Sequence, residues 1–233
     1  MDDKSNFENH IDEYAIAINL SEEFIKESKI YSITKRTIDI IGSLCGIILL
    51  SPLFLIVSIL IKLDSKGPVI FKQTRIGKDS KPFEIYKFRS MKVETPNIAT
   101  NEFTNASDYI TKIGKFIRKT SLDEVPQLFN ILKGDMSFIG PRPPLTYHPW
   151  EYSEYTDIQK RMFDVRPGIT GWAQINGRKG VEWNKRIELN VWYVDNVSFL
   201  LDTKIFFKTI KKTVTNADNE NTGATVEKKE NNK

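Results

Sequence analysis

The longest apolar segment of the chain covers residues 40–61, which are 22 consecutive positions without a charged side chain. About 20 such residues are enough to cross the hydrocarbon core of a bilayer, so the segment is a candidate membrane helix. Ser51 and Pro52 lie in its middle, and a proline removes a backbone hydrogen bond and clashes with the preceding turn. The serine hydroxyl can satisfy a carbonyl that the proline leaves free. The pattern therefore predicts a membrane helix that is broken at this pair.

Two further features bear on whether this helix crosses the membrane. The part before the break, residues 40–50, reaches about 16 Å at the rise of an α-helix, which is roughly half of the hydrocarbon core. Basic residues flank both ends of the segment (Lys35 and Arg36 before it, Lys62 and Lys66 after it), so the positive-inside rule favours neither orientation. A re-entrant helix that returns to the same membrane face explains both features. A kinked helix that spans the membrane remains the alternative.

The region after the apolar segment has the alternation of a β-hairpin. Apolar and polar positions alternate around Val69 and Phe71 and again around Phe83 and Ile85. The polar segment 77–81 separates the two runs. Two alternating runs on either side of a polar turn predict two paired antiparallel strands.

Four segments further along the chain have helical patterns, at residues 109–118, 124–132, 158–163 and 199–213. The last one mixes apolar with basic positions: Phe199, Leu200, Ile205, Phe206 and Ile210 among Lys204, Lys208, Lys211 and Lys212. Basic residues beside a broad apolar surface are typical of a helix that lies in a membrane interface. An ordinary amphipathic helix packed on the domain explains the pattern equally well.

These segments predict an α+β fold class. We expect a mainly helical, membrane-associated domain with a broken membrane helix, interfacial amphipathic helices and a small β-hairpin. Residues 1–30 form a polar, acidic arm, residues 31–66 carry the membrane helix, and residues 67–215 form one domain. Residues 216–233 have no apolar cluster and are expected to be disordered.

Charge is distributed unevenly along the chain. The formal net charge is +4, from 34 Lys and Arg against 30 Asp and Glu, but residues 31–215 alone carry +10 because both ends are acidic. A basic middle suggests a phosphate-rich partner or a membrane surface. The single cysteine excludes a disulfide framework and a Cys-based zinc site, and the two histidines exclude most His-ligated metal sites. The chemistry is therefore expected to use carboxylates and arginines.

Asp123 is the candidate nucleophile in the segment 117–144. The sequence Ser121-Leu122-Asp123-Glu124 before Pro126 predicts a helix start in which Asp123 is the N-cap. A carboxylate at the positive end of a helix dipole stays ionised, and an ionised aspartate can attack phosphorus. Arg118 and Lys119 would supply a cationic setting for a phosphate. A helix cap without chemistry is the common alternative for an aspartate in this position.

Two segments rich in glycine and proline hold further candidates. Arg142 lies in the turn-rich segment 140–143, and a guanidinium fixed on a stiff backbone suits recognition of a phosphate or a uracil. Residues 166–178 contain three glycines between Arg166 and Arg178, which suits a phosphate or nucleotide site. Structural turns with surface arginines are the alternative in both segments.

Several long motifs in a fixed order resemble the bacterial sugar transferases of the monotopic phosphoglycosyl transferase superfamily. The resemblance covers about residues 31–213. It is carried by KRTIDIIGS (35–43), the Ser51-Pro52 break, GPVIFKQTRIGKDSKPFEIYKFRSM (67–91), Asp123-Glu124, LKGDMSFIGPRP (132–143) and RPGITGWAQINGR (166–178).

The resemblance implies an enzyme of the inner (cytoplasmic) membrane with residues 67–215 as a catalytic domain on the cytoplasmic face. It implies transfer of a sugar-1-phosphate from a UDP-sugar to undecaprenyl phosphate with release of UMP, as the first membrane step of surface glycan or glycoconjugate assembly. It also favours the re-entrant form of the helix broken at Ser51 and Pro52. The expected partners are the UDP-sugar, undecaprenyl phosphate and membrane lipid, without nucleic acid, and a homo-oligomer is left open.

The same resemblance implies roles for individual residues. Asp123 would form a covalent phosphosugar intermediate, and Glu124 would assist by binding Mg²⁺ or by orienting the acceptor. Mg²⁺ is expected as cofactor, held by Asp123 and Glu124, because an anionic nucleophile must approach an anionic diphosphate. The expected substrate-binding residues are Arg118, Arg142, Arg166, Arg178 and Lys87.

One position departs from the pattern. Many relatives have an acid where this chain has Asn190, so the protein would differ in rate or use Asp195 instead. Two alternatives to an enzyme follow from the sequence. One is a membrane-anchored anion-binding module built on the basic middle, and the other is a scaffold without catalysis.

Overall fold

The computed structural model describes residues 29–96, 106–176 and 182–214. The chain divides into two compact units, residues 1–38 and residues 39–233. The predicted acidic arm (1–30, apart from its last two residues) and the predicted tail (216–233) lie outside the described residues. The elements are α1 (Lys29–Leu49), α2 (Ser51–Asp64), β1 (Ile70–Ile76), β2 (Pro82–Phe88), α3 (Lys112–Lys119), α4 (Gln127–Lys133), β3 (Ser137–Ile139), α5 (Asp157–Lys160), β4 (Gly168–Thr170), α6 (Trp172–Asn176), α7 (Trp183–Asp195) and α8 (Phe199–Val214).

The apolar segment forms two helices, α1 and α2, that are bent by 60° at their junction. The Ser51 hydroxyl donates a hydrogen bond of 2.8 Å to the carbonyl of Ile48. Pro52 would otherwise face this carbonyl without an N–H to offer, so the serine supplies the missing donor. Within the described residues no single helix is long and apolar enough to cross a membrane, whereas this bent pair qualifies by length and composition. The predicted break at Ser51-Pro52 is confirmed.

The first half of the broken helix packs on the domain through small and polar side chains. Asp39 is buried, and its Oδ1 accepts hydrogen bonds of 3.0 Å from the Ser137 hydroxyl and from the Phe138 amide. A Cβ at Gly42 would lie 2.8 Å from the Phe138 ring, and one at Gly46 would lie 3.1 Å from Leu128. Residues 39–49 are therefore held against β3 and α4.

The second half of the broken helix contributes to the core of the same domain. Val57 and Ile61 of α2 are buried in one cluster with Phe88 of β2 and Ile117 of α3. Each of these four side chains is at most 3% exposed. Both halves of the helix thus contact the same domain.

The predicted hairpin is confirmed. Strands β1 and β2 pair antiparallel from Ile70 opposite Phe88 to Ile76 opposite Pro82. A 3₁₀ turn, Lys78–Ser80, connects them, with Asp79 and Ser80 at positive φ. Ile85 and Phe88 are both buried, but they are three positions apart and lie on opposite faces of β2. Ile85 packs with Leu128 and Ile131 of α4, and Phe88 packs with α2 and α3.

A second, parallel pair of short strands was not predicted. Strands β3 and β4 pair through Ser137 and Gly168 and through Ile139 and Thr170. A Cβ at Gly168 would overlap the amide of Gly140, and one at Gly171 would overlap its carbonyl. These glycines allow two backbone segments to touch, so in the described part of the glycine-rich segment the glycines serve strand packing.

The helix boundaries differ in detail from the predicted ones. The helix expected at 109–118 begins at Lys112, because Thr111 caps it by accepting a 2.9 Å hydrogen bond from the Gly114 amide. The helix expected at 158–163 is α5 followed by a 3₁₀ turn, Arg161–Phe163.

The last helix, α8, has apolar residues on two faces. Leu201 and Ile205 are buried, and the Thr209 hydroxyl lies 2.7 Å from that of Thr170, so this face packs on the domain. The exposed apolar side chains of α8 are Phe199, Leu200, Phe206, Phe207 and Ile210. Packing on the domain accounts for the first face and leaves the second unexplained.

Candidate active site

Asp123 lies in a short 3₁₀ turn, Leu122–Glu124, between α3 and α4. Ser121 before it adopts a left-handed conformation (φ 58°), which turns the chain sharply after α3. Helix α4 begins only at Gln127, and its N-cap position is Pro126. The predicted helix start at Glu124, with Asp123 as N-cap, is therefore wrong.

The Asp123 carboxylate is buried and incompletely bonded. The residue is 6% exposed, and its Oδ1 has no hydrogen-bond partner within the described residues. Burial raises the pKa of Asp123, and the charge of Glu124 adds to the rise, against the lowering effects of Lys87, Arg118 and Arg142. The expected lowering of this pKa by a helix dipole does not occur, because Asp123 does not cap a helix.

Glu124, the next residue, is hydrogen-bonded to two cations. Its Oε1 accepts a 2.7 Å hydrogen bond from the Lys87 ammonium and a 2.9 Å hydrogen bond from Nη2 of Arg142. Burial alone would raise the pKa of Glu124, but the charges and hydrogen bonds of Arg142 and Lys87 outweigh burial and lower it well below its usual range. Glu124 is therefore ionised at neutral pH and cannot act as a proton donor.

Buried Asn130 fixes the geometry between these elements. Its side-chain Oδ1 accepts a 2.9 Å hydrogen bond from the Tyr86 amide, and its Nδ2 donates a 2.6 Å hydrogen bond to the Glu84 carbonyl. These two bonds tie α4 to strand β2 beside Lys87. The turn before α4 and the strand that carries the lysine are thereby held in register.

Three of the predicted substrate-binding residues gather around the two carboxylates. Lys87 comes from β2, Arg142 follows β3, and Arg118 lies in the last turn of α3. Burial lowers the pKa of Arg118, whereas the charges of Asp123 and Glu124 raise it. Three separate elements thus bring cations to one place.

Of the other two predicted substrate-binding residues, Arg166 and Arg178, the structure describes only Arg166. Arg166 donates a 2.9 Å hydrogen bond from Nε to the carbonyl of Gly134, at the end of α4. This bond gives Arg166 a structural role, and its contact with substrate stays a prediction. Arg178 lies outside the described residues.

Two arginines near Arg142 were not predicted from the sequence. Burial lowers the pKa of Arg75, at the end of β1, to about 10, and the charge of Arg142 contributes to the lowering. Burial and the same charge also lower the pKa of Arg186, which lies over the Trp183 ring at 4.7 Å from its centroid. Alternation and helical periodicity do not identify such residues, because their partners are distant in sequence.

Positive charge exceeds negative charge in this cluster. The cations Lys87, Arg75, Arg118 and Arg142 interact with the carboxylates Asp123 and Glu124, and Arg186 adds a fifth positive charge near Arg142. An excess of buried or half-buried guanidinium groups is suited to hold a polyanion such as a diphosphate.

Asn190 and Asp195, the two positions that the departure from the family pattern concerns, both lie in α7. Asn190 is buried in α7, and its Oδ1 has no hydrogen-bond partner within the described residues. Asp195 forms an ion pair with Arg161, which is not a member of the cationic cluster. The His148 ring packs edge-on against Trp183, with 4.9 Å between centroids.

The sequence matches a protein-family model. The model described as bacterial sugar transferase matches residues 30–216, which include the broken helix, the hairpin and the Asp123 cluster. The chain belongs to the bacterial sugar transferase family.

Several curated proteins are similar to this bacterial sugar transferase. The uncharacterized sugar transferase EpsL of Bacillus subtilis is 46% identical over 184 residues, which are 77% of this chain and 87% of EpsL. The UDP-glucose:undecaprenyl-phosphate glucose-1-phosphate transferase of Escherichia coli is 41% identical over 190 residues, 79% of this chain and 41% of that protein. The UDP-N-acetylgalactosamine-undecaprenyl-phosphate N-acetylgalactosaminephosphotransferase of Aeromonas hydrophila is 41% identical over 191 residues, 81% of this chain and 45% of that protein. The chain thus spans less than half the length of the latter two proteins.

A magnesium site in this sugar transferase would have to use few protein ligands. Within the described ranges no group of three or more His, Cys, Asp or Glu side chains is placed to hold a metal ion. Mg²⁺ commonly binds one or two carboxylates and completes its shell with waters and substrate phosphates. Oδ1 of Asp123 has no hydrogen-bond partner among the described residues, and Lys87 and Arg142 both bind Oε1 of Glu124. The Asp123 oxygen fits such a site, and Glu124 would add its second carboxylate oxygen.

Proposed function

We propose that this protein transfers a sugar-1-phosphate from a UDP-sugar to undecaprenyl phosphate and releases UMP. The observation that carries the proposal is the buried Asp123 carboxylate, which lies inside a cluster of cations and has one oxygen without a hydrogen-bond partner in the described part of the chain. The names of the relatives from Escherichia coli and Aeromonas hydrophila differ in the sugar and agree on undecaprenyl phosphate as acceptor. The acceptor and the reaction class are therefore inferred, and the sugar is left unassigned.

In the first step, a carboxylate oxygen of Asp123 attacks the phosphorus that carries the sugar. A bond forms between this oxygen and the phosphorus, and the bond from the phosphorus to the bridging oxygen breaks. UMP leaves with that oxygen and its electron pair. Arg118, Arg142 and Lys87 surround the carboxylate, and their charges would offset the repulsion between it and the diphosphate.

In the second step, a phosphate oxygen of undecaprenyl phosphate attacks the same phosphorus. The bond to Asp123 breaks, and the carboxylate is regenerated. Neither step requires a net proton transfer. The site agrees with this, because Glu124 is ionised and no histidine is among the groups that shift the pKa of Asp123.

The two carboxylates would have different roles in this reaction. Burial leaves the ionised form of Asp123 poorly solvated, which increases its reactivity toward phosphorus. Glu124 holds the side chains of Lys87 and Arg142 in place and acts as a positioning residue. Asp123 and Glu124 would hold Mg²⁺ together with the diphosphate, and the ion would offset negative charge at the reacting phosphorus.

We further propose that the protein lies on the cytoplasmic face of the inner membrane, with α1 and α2 as a re-entrant pair. Both halves of the pair contact the same domain, through Asp39 and through the Val57 and Ile61 cluster, which supports entry and exit on one face. The exposed apolar face of α8 supports contact with membrane lipid.

The test is UMP release by detergent-solubilised protein given undecaprenyl phosphate, Mg²⁺ and a panel of UDP-sugars. We expect release with at least one sugar, and a loss of at least about 1,000-fold in Asp123→Ala with membrane association unchanged. Asp164→Ala, which changes an exposed aspartate, is the matched control and should keep full activity. Substantial turnover in Asp123→Ala would refute the assigned nucleophile. Silence across the panel from folded wild-type protein would favour a binding or scaffold role.

A further inference from the structure

We infer that Arg75 is a positioning residue, which holds the segment 141–145 and thereby keeps the Arg142 guanidinium against Glu124. The inference deepens the proposed function, because it concerns how that site is assembled. It is carried by backbone and side-chain contacts on both sides of Arg142.

The end of strand β1 is hydrogen-bonded to the segment that follows Arg142. Nη1 of Arg75 donates a 3.2 Å hydrogen bond to the carbonyl of Pro143. The amide of Ile76 donates a 3.1 Å hydrogen bond to the carbonyl of Pro144, and Arg75 forms an isolated β-bridge with Leu145. Three successive residues after Arg142 are thus bound to two residues of β1.

The residue before Arg142 is fixed from another direction. The amide of Gly168 in β4 donates a 2.9 Å hydrogen bond to the carbonyl of Pro141, and the amide of Gly140 donates one of 2.9 Å to Thr170. Arg142 therefore lies between two anchored carbonyls, those of Pro141 and Pro143. The anchor after Arg142 includes a side chain, and that side chain is Arg75.

The composition of the segment explains why a side-chain donor is needed. Positions 141, 143 and 144 are prolines, which have no backbone N–H, so the segment cannot form the donor half of a strand ladder. Its carbonyls can still accept hydrogen bonds. A guanidinium with several N–H groups can reach such a carbonyl from a neighbouring strand.

The contacts of Arg75 favour positioning over direct binding of substrate. Its Nη1 binds the Pro143 carbonyl, and its Nη2 donates a 2.6 Å hydrogen bond to Oε1 of Gln73. Both terminal nitrogens of the guanidinium are therefore engaged within the protein, whereas the buried Nε has no partner among the described residues. Arg75 and Arg142 are both cations and repel each other, so the bond to Pro143 holds Arg142 in place against that repulsion and toward its ion pair with Glu124.

A double-mutant cycle tests the inference. Arg75→Gln, Arg142→Gln and the double variant are compared for the KM and kcat of UMP release and for UMP binding by calorimetry. We expect Arg142→Gln to weaken UMP binding and raise KM by about 10-fold, and Arg75→Gln to do so by about 3-fold to 10-fold. In the Arg142→Gln background, Arg75→Gln should change either quantity by less than about 2-fold, because it acts through Arg142. An equal effect in both backgrounds would overturn the inference.

Hydrogen exchange gives a readout that does not depend on turnover. Arg75→Gln should speed exchange of the Ile76 amide, which donates its hydrogen bond to the Pro144 carbonyl, while melting shows a folded protein. Arg75→Lys, which keeps one donor, should lie between Arg75→Gln and wild type.

The matched control is Lys72→Gln, on the same strand, whose side chain is exposed and pairs with Glu84. It should change neither exchange nor KM. Unchanged exchange of the Ile76 amide in Arg75→Gln would refute the inference whether or not a sugar donor is found. Faster exchange in a protein that releases no UMP from any donor would instead refute the proposed function and leave the role of Arg75 intact.

Discussion

Asp123 and Glu124 are consecutive carboxylates in one turn, and their pKa values are shifted in opposite directions. Both are removed from water, but Glu124 takes the hydrogen bonds of Lys87 and Arg142, whereas Oδ1 of Asp123 has no such partner among the described residues. Lys87 and Arg142 therefore stabilise the charge of Glu124 through hydrogen bonds, and they act on the charge of Asp123 through electrostatic attraction alone. This division separates a carboxylate that organises the site from one that is available to react.

The rate should depend on pH through Asp123. The reaction needs the ionised carboxylate, and the pKa of Asp123 is raised, so kcat/KM should fall on acidification at a higher pH than for an ordinary aspartate. Glu124, whose pKa is lowered, should stay ionised over the same range and add no second acid limb. A pH–rate profile from about pH 4.5 to pH 8 checks this. A rate that stays constant over that whole range would contradict it.

Asp123→Asn should stabilise the folded protein while it abolishes turnover. A raised pKa means that the ionised carboxylate is less favourable in the folded than in the unfolded state, so its cost is present at neutral pH and disappears as the pH falls through the raised pKa. Calorimetry should show a higher Tm for the variant at pH 7 and a smaller difference in acid. Asp164→Asn, at an exposed position, should leave the Tm unchanged. A lower Tm for Asp123→Asn would show that the charged form is favoured in the fold.

Glu124→Gln should have the opposite effect on stability. The substitution removes the carboxylate that Lys87 and Arg142 share. The side chains of Lys87 and Glu124 are each 16% exposed, so this ion pair is mostly shielded from water. We expect a loss of about 2 kcal/mol in the free energy of unfolding, measured by denaturant titration, and a drop in UMP release of at least about 10-fold. Glu84→Gln breaks an exposed pair with Lys72 and is the control, with little change expected. Equal effects of the two variants would argue against an organising role for Glu124.

The topology of the broken helix can be read by labelling. In a Cys45→Ser background, Lys35→Cys and Lys66→Cys should react with a membrane-impermeant thiol reagent from the same side of the membrane. The physical reason is that both halves of the helix pair contact one domain. Labelling from opposite sides, in vesicles whose orientation is known, would show a spanning helix.

The sequence predicted the elements whose structure depends on residues that are neighbours in the chain. Alternation around Phe71 and Ile85 predicted the hairpin, and a proline within an apolar run predicted the break at Pro52. The amphipathic pattern of 199–213 predicted α8 to within one residue at its end. In each case the signal is a period or a backbone restriction that acts over a few neighbouring residues.

Parts of the site that depend on long-range contacts were not predicted. The N-cap prediction for Asp123 was wrong because Ser121 adopts a left-handed conformation and a 3₁₀ turn precedes the helix. The link from Arg75 to the Pro143 carbonyl joins residues 68 positions apart, which no local pattern reports. Motif resemblance named Lys87, Arg118 and Arg142 as substrate-binding residues, which stays a prediction, and it gave no information on which of them would bind Glu124.

The packing of α2 on the domain has a practical consequence for making a water-soluble fragment. Phe88 and Ile117 are each 1% exposed because Val57 and Ile61 cover them, so a fragment that begins after residue 66 would present this apolar cluster to water. It would also remove Asp39, which bonds to Ser137 and Phe138. The helix pair is therefore part of the folding unit, and the catalytic domain should be purified with it, in detergent or in a lipid disc.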